Sequence, residues 1–118
     1  MSDAPFAGTD YLWPDAEGIT SNLVLLAVGA CTELATRALR VGDIELLFAA
    51  TDRGLRVLPG HEEMIALRMR AHAQSGDTAG VRQEWESYER AILADPWSDG
   101  EPAPRLRAVR AELLGQPA

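Results

Sequence analysis

Arg37-Ala38-Leu39-Arg40-Val41-Gly42-Asp43 and Arg70-Ala71-His72-Ala73-Gln74-Ser75-Gly76-Asp77 decide the fold of this chain. In each, a stretch without strand-like alternation ends on a glycine, and an aspartate follows at once. A glycine just past the last helical turn can take the left-handed backbone that closes a helix, and an aspartate beside it can accept a hydrogen bond from an unpaired amide of the next one. Each Gly-Asp pair is therefore a stop and a start at adjacent positions, the turn of a helical hairpin. The two turns lie thirty-four residues apart, a spacing that belongs to chains built by stacking such hairpins.

Working outward, Thr20 or Ser21 can cap a first helix running to Val41, with apolar positions at Leu23, Leu26, Ala27, Ala30, Leu34 and Ala38. Asp43 caps a second, in which Ile44, Leu47, Phe48, Thr51, Leu55 and Leu58 recur at helical spacing until Pro59-Gly60 stops it. Glu62 and Glu63 suit the first turn of a third, where carboxylates meet the positive end of the helix dipole, and Met64, Leu67 and Ala71 form its inward stripe. Asp77 caps a fourth, whose Val81, Trp85, Tyr88 and Ile92 share one face before Asp95-Pro96 ends it. A proline-rich crossing, Trp97 to Pro104, leads to a closing helix with Leu106, Val109 and Leu113 inward and its arginines outward. The expected fold is all-α, tetratricopeptide-like stacked hairpins of about five helices. Residues 1–19 form an N-terminal arm and 20–118 the repeat domain, with hairpins at about 20–58 and 61–95 and the closing helix at about 103–115.

A chain of 118 residues can bury roughly two-thirds of its unfolded surface, so one core suffices without disulfide or metal staples. The single cysteine, Cys31, has no mate, which points to a reducing, cytoplasmic setting. The longest run free of polar side chains, Leu23 to Cys31, is about half of a bilayer crossing, so no membrane insertion is expected. All eleven basic residues are arginine, there is no lysine and alanine is abundant, the bias of a GC-rich bacterial genome, here read as actinobacterial. A formal net charge of -7 sets up a field that repels phosphate backbones, so a direct nucleic-acid partner is not expected.

In the thirty-four residue frame Leu34 and Ala35 fill the first-helix Leu-Gly step of the repeat and Pro59 sits at its closing proline. Leu47 and Val81 stand where the repeat favours alanine, and Thr51 and Trp85 where it favours an aromatic side chain. The first hairpin is thus the looser copy. The succession Pro5-Phe6-Ala7-Gly8, Tyr11-Leu12-Trp13, Val41-Gly42-Asp43, Met69-Arg70-Ala71-His72 and Ser75-Gly76-Asp77-Thr78-Ala79-Gly80, with Trp85, resembles the bacterial transcriptional activator domain over nearly the whole chain. The resemblance implies a helical repeat module that accompanies DNA-binding winged helices in actinobacterial regulators, or LysM segments in envelope-associated proteins. It also implies a C-terminal piece of a larger protein, because the family's usual N-terminal helices are not in this sequence.

Chemistry has little to build on. His61-Glu62-Glu63-Met64 begins like a zinc-protease helix, but Ile65 stands where the second histidine must project from the same face, so no metal is expected. Cys31 lacks an evident base and orienting group and reads as a small apolar residue. Glu84, Glu86 and Glu89 read as an exposed acidic face paired along the helix with Arg82 and Arg90. Neither a dinucleotide glycine pattern nor a Walker lysine occurs, so no cofactor is expected. His72 beside a carboxylate is the best starting point for an enzyme; the bland alternative packs it between the hairpins. Trp85 and Tyr88 read as core, and Trp97 as uncommitted.

Function is therefore expected to be recognition rather than catalysis, with a protein partner or another domain of the same polypeptide. In repeats of this kind the first helix of each hairpin lines a concave groove, which makes Thr32, Thr36 and Arg40 on one helix and Glu63, Arg70 and Gln74 on the next the candidate contacts. The first helix is apolar almost all round from Leu23 to Cys31, so either the N-terminal arm, through Phe6, Leu12 and Trp13, or a second chain in a homodimer is expected to cover it. The charge balance predicts no measurable retention of duplex DNA by the isolated chain at physiological salt; micromolar, salt-sensitive binding of random duplex would contradict it.

Overall fold

The computed structural model describes residues 14–115, with side chains described from 22 onward. Five helices follow one another: α1 Pro14–Val41, α2 Ile44–Val57, α3 Glu62–Gln74, α4 Thr78–Ala94 and α5 Pro104–Leu114. Among the described residues there is no strand. The all-α expectation holds, and the helices form a stack of hairpins, α1 against α2 and α3 against α4.

The two Gly-Asp turns are built alike. Gly42 and Gly76 sit at φ of 80° and 74°, a left-handed conformation that other residues enter only at a cost in energy. Asp43 accepts a hydrogen bond from the Leu46 amide at 3.1 Å and Asp77 one from the Gly80 amide at 2.9 Å, each satisfying a donor that has no partner inside its helix. His61 caps α3 by the same means, its Nδ1 accepting from the Met64 amide at 3.3 Å. α5 begins instead on Pro104, whose fixed φ suits a first helical position.

The start of α1 departs from the sequence reading. Helix was expected from Thr20 or Ser21, but the chain is already helical at Pro14. A proline at a first helical position is an N-terminal signal rather than a break, and Gly18 costs the helix only about 1 kcal/mol without ending it. Thr20 and Ser21 therefore lie inside α1 rather than at its start. The remainder of the expected arm, Met1 to Trp13, lies outside the described residues.

Packing centres on α3, which touches α1, α2, α4 and α5. One core layer joins Ala35 and Ala38 of α1 to Leu47 and Ala50 of α2 and to Leu67 and Ala71 of α3. A second joins Ile65, Ala66 and Met69 of α3 to Val81, Trp85 and Tyr88 of α4 and to Leu106 and Val109 of α5. Because α3 serves both layers, it buries Met64, Ile65, Ala66, Leu67, Met69 and Ala71, well beyond the single stripe read from its period. Tyr88 also accepts a hydrogen bond from the Ala103 amide at 2.9 Å, which fixes the proline-rich crossing to α4.

Helix α1 buries a face that shares only Ala38 with the one expected. Val28, Ala35 and Ala38 are its buried positions, while Leu23, Leu26 and Leu34 are exposed, Leu26 to 70%. Cys31, expected in the core, is half-buried. By length and composition Asn22–Val41 is apolar enough to cross a membrane. The same stretch supplies Ala35 and Ala38 to the core and carries an exposed Glu33–Arg37 ion pair at 2.9 Å. The radius of gyration, 17.3 Å, exceeds the value of about 13 Å for a compact domain of about 100 residues, and the stack measures 55 × 35 × 17 Å.

Substituting Asp77 by alanine removes the α4 cap, and we expect a loss of about 1 kcal/mol in urea denaturation. No loss beyond experimental error would show that the cap does not hold the turn.

Candidate functional site

Helix α3 places its polar side chains on two faces. On one, Arg68 and His72 stand a helical turn apart and reach both neighbouring second helices. Arg68 Nη1 donates to Asp52 Oδ1 at 2.7 Å and to Thr51 Oγ1 at 3.0 Å on α2, while its Nε donates to Glu84 Oε1 on α4 at 2.9 Å. Its guanidinium also lies 4.7 Å from the centroid of the Phe48 ring, a favourable place for a cation over an aromatic face. His72 Nε2 lies 2.9 Å from the other oxygen of Glu84 and its Nδ1 3.4 Å from Asp77 Oδ2, with the Phe48 ring 4.8 Å away. Side-chain exposure is 16% for Arg68, 18% for His72 and 13% for Glu84, so the contacts of Glu84 with Arg68 and His72 are only weakly screened by water.

This cluster is a clamp between hairpins. α2 and α4 do not pack on one another, and Arg68 with His72 spans the space between them. Thr51, which stands where the repeat favours an aromatic side chain, is fully buried; its hydroxyl donates to the Leu47 carbonyl at 2.8 Å and accepts from Arg68. A Cβ at Gly80 would meet the His72 ring, so α4 approaches α3 at a distance that only glycine allows. The bland reading of His72, packing between the hairpins, is the arrangement found. As a starting point for catalysis it falls short, because both ring nitrogens face carboxylates and neither is left for a substrate.

Glu84 was read as part of a solvated acidic face paired with Arg82 or Arg90. It points inward instead, to Arg68 and His72, and Arg90 donates to Ser87 Oγ at 3.1 Å. No local pattern could reveal this, since the partners are sixteen and twelve residues away. The usable signal was Arg68 and His72 at i and i+4, on the side of α3 away from Glu63 and Arg70.

On the opposite side, the groove candidates divide. Glu63 and Arg70 face the closing helix, with Arg105 to Glu63 at 3.5 Å and Arg70 to Glu112 at 3.8 Å. Thr32 and Thr36 are half-exposed, and their hydroxyls donate to the Val28 and Thr32 carbonyls of their own helix at 2.9 and 2.8 Å. Arg40 and Gln74 are exposed, and neither takes part in an ion pair among the described residues. Among the described residues no group of three His, Cys, Asp or Glu side chains is placed to hold a metal ion.

Further along, α4 and α5 leave a cleft of about 280 Å³ lined by Arg82, Trp85, Glu86, Glu89, Arg110 and Leu114. Arg110 was expected to point outward with the other α5 arginines. Its guanidinium lies instead over the Trp85 ring, 4.3 Å from the centroid. Trp85 and Tyr88 are core, as read, and Trp97 is 94% exposed in the crossing.

Replacing Glu84 by alanine strips two half-buried cationic or hydrogen-bonding groups of their partner at once, and we expect a loss of about 2 kcal/mol in chemical denaturation. Glu84→Gln, which can keep part of the hydrogen bonding, should lose less. Equal, negligible losses for the two would mean that the seam does not join the hairpins.

No curated protein and no solved structure matches the chain. The family description "Bacterial transcriptional activator domain" matches residues 5–114, which spans all five helices and both Gly-Asp turns. Matched over nearly its whole length, and built as the stack of helical hairpins that the resemblance implied, the chain belongs to the bacterial transcriptional activator domain family.

Proposed function

We propose that this domain works as a protein-interaction module of a transcription regulator, contacting either a separate protein or another domain of its own polypeptide, and that it does so in the cytoplasm without binding nucleic acid directly or entering a membrane. The observation that carries this reading is how the polar side chains are used. The one densely connected polar cluster among the described residues, around Arg68, is spent on joining the hairpins. What is left for function is helix surface. Arg40 and Gln74, exposed near the Gly-Asp ends of α1 and α3, with the flanking Thr32 and Thr36, offer hydrogen-bonding groups on such a surface; Glu63 and Arg70 hold α5 beside it.

A second reading, a structural oligomerisation domain of an envelope-associated LysM-type protein, draws on one observation. Leu23, Leu25 and Leu26 lie exposed together along α1, the kind of apolar surface that a second chain can cover in a homodimer.

One experiment separates the two. A photo-crosslinking side chain placed at Gln74 in the cells that produce the protein should capture a defined second protein or domain, while the same group at Leu26 should not capture another copy of the chain. Self-cross-links from Leu26 with nothing specific from Gln74 would overturn the regulatory reading in favour of oligomerisation.

A further inference from the structure

The α4–α5 cleft is an unfinished copy of the seam that joins the hairpins. Counted from their first residues, α5 repeats α3: Leu106 takes the place of Met64, Val109 that of Leu67 and Arg110 that of Arg68. The first two pairs are buried, and both arginines are half-buried. Counted in the same way, α4 repeats α2, and Trp85 and Glu86 take the places of Thr51 and Asp52. The aromatic support recurs, though from a different place in the helix, since Arg82 takes the place of Phe48. Arg68 lies over an aromatic ring of α2, and Arg110 lies over an aromatic ring of α4. Asp52 beside Arg68 corresponds to Glu86 in the cleft that Arg110 lines.

The copies differ in the acceptors around the arginine: Thr51 and Asp52 both accept from Arg68, whereas Trp85 offers no acceptor and Glu86 is in no ion pair among the described residues. Arg68 Nε donates to Glu84, which comes from the next helix in the stack. Arg110 Nε is buried and has no hydrogen-bond partner among the described residues. A buried donor left unpaired costs on the order of its desolvation, and such an atom asks for an explanation in a folded chain. In the seam the acceptor comes from the neighbouring helix, and among the described residues no helix brings a counterpart of Glu84 to Arg110.

We infer that the α4–α5 cleft is the docking site of one further helix, supplied by a partner protein, which presents a carboxylate to Arg110 as α4 presents Glu84 to Arg68. The cleft states what else that helix carries. Trp85 and Leu114 take an apolar stripe, while Glu86 and Glu89, in no ion pair among the described residues, take an arginine or lysine beside it. A second copy of this chain fits poorly. The contact would be heterologous, building a ring or a filament rather than a twofold pair, and each molecule carries a formal charge of -7. The inference rests on the reading of the domain as a protein-binding module and assigns it a surface separate from the Arg40 and Gln74 face.

The probe is the chain's own example of such a helix, a fluorescein-labelled peptide of residues 77–95, which contains the α4 cap, Glu84 and the apolar face. Fluorescence anisotropy against the intact protein should show saturable binding. Glu84→Gln in the peptide, or Arg110→Met in the protein with its helical circular dichroism retained, should weaken it about tenfold or more. Combining the two changes should add nothing further, as expected for partners in one contact. Absence of saturable binding would overturn the inference, and so would binding indifferent to both changes, the result expected if the peptide merely displaced α4. Arg110-dependent self-association of the chain alone in sedimentation velocity would seat a second copy in the cleft and overturn the assignment to a partner protein. Cross-links from Gln74 without peptide binding would sink this inference and leave the functional reading standing.

Discussion

Arg68 is the polar tie between two hairpins whose apolar join is the layer shared by α1, α2 and α3. The apolar contacts of α3 would hold it against α2 and α4 separately, but those two helices do not pack on each other. One guanidinium, donating to Asp52 and Thr51 on one side and to Glu84 on the other, fixes their relative placement. Apolar burial is non-directional, whereas a planar guanidinium has donors at fixed angles. The cluster thus contributes register more than net stability, since half-buried ion pairs recover in attraction roughly what they lose in hydration. His72 extends the same constraint one turn further along α3, down to the Asp77 that caps α4.

Between this face and the one on which Glu63 and Arg70 meet α5, α3 is apolar. Its two layers differ in grain. The α1–α2 layer is made largely of alanine, which lets helix axes approach closely but gives each side chain little area to bury. The α4–α5 layer uses Trp85, Tyr88, Leu106 and Met69 and buries far more per residue. Stability in a stack is the sum of such layers and the interfaces between them. The α1–α2 end therefore depends on its attachment to α3 more than the α4–α5 end does, and the exposed leucines of α1 lie at that weaker end.

These differences mark what could be read from the sequence. Helix ends were legible wherever a turn has its own chemistry: Gly42-Asp43, Gly76-Asp77 and the stop at Pro59-Gly60 are local rules, and the structure follows them. The start of α1 was misplaced because a proline and a glycine were both taken as breaks, although proline at a first helical position favours a helix. Burial on α1 was misassigned for another reason. Its sequence is apolar on several faces, so periodicity cannot say which face meets a neighbour, and packing on α2 and α3 selected the face of Val28, Ala35 and Ala38 over that of the leucines. The Arg68 seam was invisible in the sequence because its partners are far apart along the chain, and Glu84 was assigned to solvent on spacing alone. Of the groove candidates, Glu63 and Arg70 proved to be tied to α5, a helix whose placement the thirty-four residue frame does not specify.

Repetition imposes a final consequence. A stack built by copying one interface presents at each end half of that interface, which must be altered to suit water or be covered by something else. At the α5 end the alteration is partial. Glu86, Glu89, Arg105 and Arg107 suit water, and the latter two pair with Glu63 and Glu101. Arg110 does not: it keeps the half-buried position and the aromatic support of Arg68 while lacking the acceptor that makes that position favourable. A lone guanidinium on a surface would gain more from free hydration than from lying on an indole with a buried, unpaired Nε, because desolvating a charged donor is costly and the cation–π contact returns only part of that cost. Its retention in this geometry follows where a docked helix brings the acceptor, so that a buried donor without a partner among the described residues marks the open interface.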